Sequence, residues 1–128
     1  MLPFCEIRAA RGATLVAENT QKAVSEAVTE LLLALTQANQ VECGAIIGVW
    51  FTLTPDLTAE NPAKVARMAL GWSKVPMLCA VEPLIEGFPP SCLRVLIQWQ
   101  EVGHEGQLKD PPRFVYLNGA EQLRDPQH

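Results

Sequence analysis

Ala45-Ile46-Ile47-Gly48-Val49-Trp50-Phe51-Thr52-Leu53 is the stretch whose reading decides the fold. Its apolar residues occupy both parities, the pattern of a strand covered on both faces. With Gly44 the run is ten residues long, far short of the ~20 apolar residues a bilayer-spanning helix needs. Trp50 and Phe51 are adjacent, so on a strand they point to opposite faces. A second face carrying a tryptophan needs cover of its own, and self-association is the economical source.

Working outward, Asn19 or Thr20 is placed to cap a helix running to about residue 38. Val24, Val28, Leu31, Leu32 and Leu35 form one apolar stripe along it, so the helix packs on something. Before it, residues 4–11 alternate as a half-buried strand, with Cys5, Ile7, Ala9 and Arg11 on one parity and Glu6, Arg8 and Ala10 on the other. Gly12-Ala13-Thr14 is expected to end that strand. After the central run, Asn61-Pro62 reads as a helix start and Gly71 as its stop, giving a short helix over residues 62–70. Strands follow at residues 77–82, 92–101 and 113–117. The fourth strand sets Leu93, Val95, Ile97 and Trp99 on one face and Cys92, Arg94, Leu96, Gln98 and Gln100 on the other. Residues 103–112 read as a polar loop, and 118–128 as a C-terminal tail or short element. The order β-α-β-α-β-β-β predicts an α/β (α+β) domain over residues 1–128, a mixed five-stranded sheet with two main helices on one face.

The 128 residues suit one domain, and ten basic against 14 acidic residues give a formal charge of −4. The acidic balance and the lack of a clustered basic stripe argue against a nucleic-acid partner. With no apolar span there is no membrane partner, and no leader is read at the first residues, so a cytoplasmic protein is expected. Cys5, Cys43, Cys79 and Cys92 form no CxxC pair and read as reduced, packed thiols. His104 and His128 fall in a loop and the tail, so no metal site is expected. There is no glycine-rich phosphate loop, paired histidine or GxSxG motif.

The arginines stand out instead. Arg11 ends a strand, Arg94 lies inside an apolar one, Lys64 and Arg67 share a face of the short helix, and Arg113 and Arg124 flank the last strand near Tyr116. A guanidinium among apolar residues needs an anion, and its fork suits carboxylates. Two readings follow. Each arginine pairs with a local acid (Arg8 with Glu6, Arg94 with Glu82 or Glu101), or the set forms a pocket for a small, multiply anionic carboxylate.

Ordered motifs carry the reading further. Arg11-Gly12-Ala13-Thr14, Thr54-Pro55-Asp56-Leu57, Pro62-Ala63-Lys64, Gly71-Trp72, Val75-Pro76, Cys79 with Glu82, Cys92-Leu93-Arg94-Val95, Val115-Tyr116-Leu117 and Leu123-Arg124 occur in one order and spacing. Over residues 5–124 the chain resembles the monofunctional chorismate mutases of the trimeric α/β type. It departs from their pattern at Asn61 and Leu78, where an aromatic and a hydroxyl residue are usual, and in the order Asp125-Pro126.

The resemblance implies a pseudo-α/β-barrel homotrimer with active sites between subunits. It implies an isomerase that converts chorismate to prephenate by a Claisen rearrangement in phenylalanine and tyrosine biosynthesis, with no cofactor. Arg94 would then donate to the ether oxygen, Arg11 would bind a carboxylate, and Glu82 would accept from the ring hydroxyl and balance the arginine charge. Cys79 would lie beside that hydroxyl, and Tyr116 would bond a carboxylate. Ala63, Lys64 and Arg67 would come from the neighbouring subunit, and Leu123 and Arg124 would close over the site. The alternative is a trimeric small-molecule-binding or imine-hydrolysing protein of similar architecture.

Overall fold

The computed structural model describes residues 3–104 and 110–124. Its strands are β1 (Pro3–Leu15), β2 (Ile46–Leu53), β3 (Met77–Val81), β4 (Cys92–His104) and β5 (Val115–Leu117); its helices are α1 (Gln21–Asn39) and α2 (Pro62–Leu70). The five strands form one mixed sheet in the order β3-β2-β4-β1-β5. β4 pairs antiparallel with β1 and β2, while β3 and β5 add in parallel at the edges.

Local signals set the helices where the sequence places them. The Thr20 hydroxyl accepts from the Ala23 N–H (3.1 Å) and caps α1. Asn19 instead ties down the loop between β2 and α2, accepting from the N–H groups of Thr58 and Ala59. Asn61 caps α2, Pro62 opens it, and Gly71 closes it at φ 71°. Val24, Val28, Leu31, Leu32 and Leu35 are fully buried against the sheet face built by Ala10, Val49, Phe51, Leu93, Val95, Ile97 and Trp99. Each such leucine contributes about 1.5–3 kcal/mol of transfer free energy.

Two expectations are corrected. β1 does not break at Gly12-Ala13-Thr14: the strand runs to Leu15 and pairs with β4 without interruption. Gly12 is there for closeness. A Cβ on it would lie 2.8 Å from the Val115 carbonyl oxygen and 2.9 Å from Leu35 Cδ1, so the residue lets β5 and α1 approach the strand. β2, in turn, is covered on one face only within the chain. Phe51 is fully buried, but Trp50 is 48% exposed.

The helix-free face of the sheet carries in-register rows. Leu78, Trp50, Leu96 and Arg11 form one; Ala80, Thr52, Arg94, Ala13 and Tyr116 form the next. Ile7 also lies on this face and is exposed, so the apolar parity of β1 is the outward one. Of the loop read at residues 103–112, β4 takes 103–104, and 105–109 lie outside the described residues. Of the tail read at 118–128, Ala120–Arg124 form a 3-10 turn, with Ala120 buried against Ala13 and Cys92. Residues 125–128, including Asp125-Pro126 and His128, lie outside the described residues.

Candidate active site

Arg94 projects from β4 onto the open face between Thr52 and Ala13. Its acid is Glu82, not Glu101. The Arg94 Nε donates to Glu82 Oε1 (2.7 Å) and Nη2 to Oε2 (2.8 Å), a two-point fork. The Thr52 hydroxyl adds a third bond to Oε1 (2.6 Å). Glu101 belongs to the other face of β4, where it accepts from Trp99 Nε1 (2.8 Å) and lies 3.9 Å from Arg8. Arg8 also donates to the Asp110 carbonyl, so it has partners on this face besides any acid next to it in sequence.

Glu82 is 3% exposed. Burial works to raise its pKa, but the Arg94 and Thr52 hydrogen bonds and the Arg94 charge outweigh burial and hold the carboxyl below its ordinary value. Glu82 raises the pKa of Arg94 in return, chiefly through the hydrogen bonds, against the opposing effect of burial. Of the five N–H donors on a guanidinium, two serve Glu82 and the others remain for the cleft.

Arg94, Arg11, Tyr116, Leu123 and Arg124 line one cleft of about 570 Å³, with Trp50, Thr52 and Phe88 among the other walls. That volume suits a small ligand. A smaller concavity carrying Arg113 and Phe114 shares Arg11, Tyr116 and Arg124 with it. Among the described residues, Arg11 and Arg124 make no ion pair. They stack on rings instead: Arg11 over Phe114 at 5.1 Å, Arg124 over Tyr116 at 5.6 Å. Arg94 likewise sits 5.3 Å from the Phe88 ring.

Phe88 and Phe114 were invisible as site residues in the sequence, because neither belongs to an apolar period. Their one signal is an aromatic side chain set in the Gly87-Phe88-Pro89-Pro90 loop or directly after Arg113. The Phe88 loop is pinned by Asp56, whose Oδ2 accepts from both the N–H and the hydroxyl of Ser91 (3.0 Å each), with Ser91 held at φ 54°. Burial pulls the Asp56 pKa upward, but these bonds and one with Thr54 keep it below its ordinary value.

Ala63, Lys64, Arg67 and Cys79 do not line the cleft. They gather around Asn61 on the helix side of the sheet. Cys79 pairs in register with Phe51, on the parity opposite Trp50 and Leu78. Its thiol reaches Asn61 Oδ1 at 3.4 Å, and burial raises its pKa, partly offset by the Ala63 N–H and the Arg67 charge. Lys64 lies 3.6 Å from Glu60. β3 pairs with β2 without a bulge, so Cys79 and Glu82 serve opposite faces. Buried Cys92, two residues from Arg94, has its pKa pushed up to about 11 by burial and stays a thiol.

Fixed cationic donors converge on a ligand-sized cleft, one of them anchored by a dedicated buried acid. Such an arrangement suits a small polycarboxylate and negative charge developing on it, the kind of task met by an enzyme of preorganised electrostatics.

Comparison with known proteins makes that class specific. The family model for chorismate mutase type I matches residues 7–126. Chorismate mutase AroH of Thermus thermophilus is 39% identical over 119 residues, covering 92% of this chain and 93% of the relative. The Bacillus subtilis AroH is 32% identical over 118 residues, covering 92% and 90%. A solved chorismate mutase from Clostridium thermocellum superposes with a TM-score of 0.77 at 36% identity, covering 90% of this chain and 98% of that one. The chain belongs to the chorismate mutase type I family and is an isomerase. The small-molecule-binding and imine-hydrolysing alternative is not favoured.

Proposed function

We propose that the chain converts chorismate to prephenate without covalent catalysis, with Arg94 as the chief transition-state residue. The observation that carries this is the Arg94–Glu82 fork at the cleft wall. The rearrangement is unimolecular, so an enzyme can act by holding the compact conformer and by meeting charge that grows as the C–O bond breaks. Glu82 fixes the guanidinium plane, and the donors left over address the ether oxygen. Among the described residues Oε2 of Glu82 accepts from Arg94 Nη2, which leaves it an acceptor position for a ring hydroxyl. Arg11 and Arg124, which make no ion pair among the described residues, and Tyr116 suit the two substrate carboxylates, with Leu123 as an apolar wall.

In this reading the chain is one domain and works as a cytoplasmic homotrimer. The row Leu78, Trp50 and Leu96 is apolar and more than a third exposed at each residue, as an unmet interface would be. Ala63, Lys64, Arg67 and Cys79, on the opposite side, would complete a neighbour's cleft. Four unpaired cysteines, three of them exposed, suit a reducing compartment. No described helix is long and apolar enough to cross a membrane.

The test is purified protein with chorismate, following its UV absorbance and the appearance of prephenate. Turnover that falls at least tenfold in Arg94→Ala supports the assignment. No turnover at micromolar enzyme refutes it, and elution at about monomer mass in gel filtration refutes the shared site.

A further inference from the structure

Three guanidinium groups of the cleft have aromatic rings against them, at 5.1 to 5.6 Å. Tyr116 already has a place as a substrate contact. Phe114 and Phe88 have none, and neither carries a group that could react.

A ring face and a carboxylate restrain an arginine in different ways. A carboxylate occupies N–H donors, as Glu82 does on Arg94. A ring attracts the cation through its quadrupole and aligns the guanidinium plane while occupying no donor. A free arginine in a cleft also has much rotamer freedom to lose when a ligand arrives, and a stacked one has already lost part of it. Arg11 fits this description well: among the described residues it makes no ion pair, and the Phe114 ring lies against it. Arg94 is held on one edge by Glu82 and on its face by Phe88, whose loop is pinned by Asp56 through Ser91.

We propose that Phe114 and Phe88 are positioning residues, each holding flat one guanidinium of the cleft, Phe114 for Arg11 and Phe88 for Arg94. This rests on Arg11 and Arg94 being substrate contacts, as proposed above. The two rings act on different kinetic parameters. Arg11 binds a carboxylate present in both ground and transition states, so loss of the Phe114 ring raises KM. Arg94 meets charge present mainly in the transition state, so loss of the Phe88 ring lowers kcat.

The experiment is steady-state kinetics of Phe114→Ala, Phe114→Leu, Phe114→Tyr and the matching Phe88 set, with thermal melts on every variant. Phe114→Ala is expected to raise KM about two- to fivefold with kcat nearly constant, and Phe88→Ala to lower kcat by a similar factor. Tyr, which keeps the ring face, restores parental values at either position; Leu, which keeps the bulk, does not. In an Arg11→Ala background, Phe114→Ala causes no further change in kcat/KM. Leu matching Phe at both positions would show mere packing and overturn the proposal, as would equal Phe114→Ala effects with and without Arg11. If Arg11→Ala alone leaves KM unchanged, the substrate-contact reading fails first, and the Phe114 role fails with it.

Discussion

Replacing Arg94 by lysine separates charge from geometry. Two of the five guanidinium donors serve Glu82, at 2.7 and 2.8 Å, and the remainder can face the cleft. A lysine ammonium has three donors around one point and no planar fork. To satisfy both Glu82 oxygens it must sit between them, drawn down toward the floor and away from the ether oxygen. Arg94→Lys therefore keeps an ion pair but misplaces the donor proposed for the ether oxygen. Loss of one preorganised donor lowers kcat by about 100- to 1000-fold, or roughly 2.7–4 kcal/mol of barrier. KM should change by less than about threefold, because carboxylate binding rests on other residues. Stability should fall by only about 1 kcal/mol, since the Arg94 side chain is 42% exposed and solvent screens its part of the pair. Arg94→Ala differs in that respect: it strands a carboxylate that is 4% exposed, and the melting temperature should drop clearly further. Chorismate turnover and thermal melts on both variants decide the matter. A lysine variant with kcat within tenfold of the parent would refute the idea that guanidinium geometry, and not cationic charge alone, does the catalytic work.

Gly12→Ala sets a Cβ 2.8 Å from the Val115 carbonyl oxygen; β5 must move, at about 1–3 kcal/mol, seen as a melting temperature lower by roughly 4 °C per kcal/mol and a raised KM through Tyr116. Glu82 has a lowered folded-state pKa, so its contribution to stability is full at neutral pH and lost as pH falls through that value. The stability gap between the parent and Glu82→Gln should therefore narrow progressively as pH falls below the ordinary glutamate value of about 4.3 in urea titrations, and a gap that stays constant from neutral to acid pH would count against the ion pair. Mixing inactive Arg94→Ala chains with inactive Lys64→Ala/Arg67→Ala chains, unfolded and refolded together, should restore part of the turnover if sites form between copies; no recovery despite mixed oligomers would exclude shared sites.

What the sequence shows depends on how far each signal reaches. α2 was legible to the residue because its cap, opening proline and closing glycine lie within its own span. The α1 stripe was legible for the same reason: five buried positions repeat at helical spacing. Gly12 was misread because the reason for it is distant in sequence; Val115 and Leu35 need the space. The choice between Glu82 and Glu101 for Arg94 was open to a parity argument: seven residues along one strand reverse the face, so Glu101 could not reach across the sheet. The aromatic backing of the arginines had no such signal, since Phe88 lies in a loop and Phe114 just before a three-residue strand.

The same parity argument bears on the whole site. Alternate residues of a flat strand diverge to opposite faces, and no rotamer brings them back together. Cys79 shares its parity with Phe51, and Arg94 shares its own with Thr52 and Tyr116. Lys64 and Arg67 belong to a helix on the Cys79 side. One chain therefore offers two cationic surfaces that face away from each other. The net charge of −4 hides both, because it sums the acids of the whole chain with the cations of these two surfaces. If both surfaces touch one small dianion, the geometry leaves a single route: the helix-side group of one copy must face the open-sheet cleft of another. A closed ring of identical chains would satisfy that at every cleft, with the exposed Trp50 row available as part of the contact.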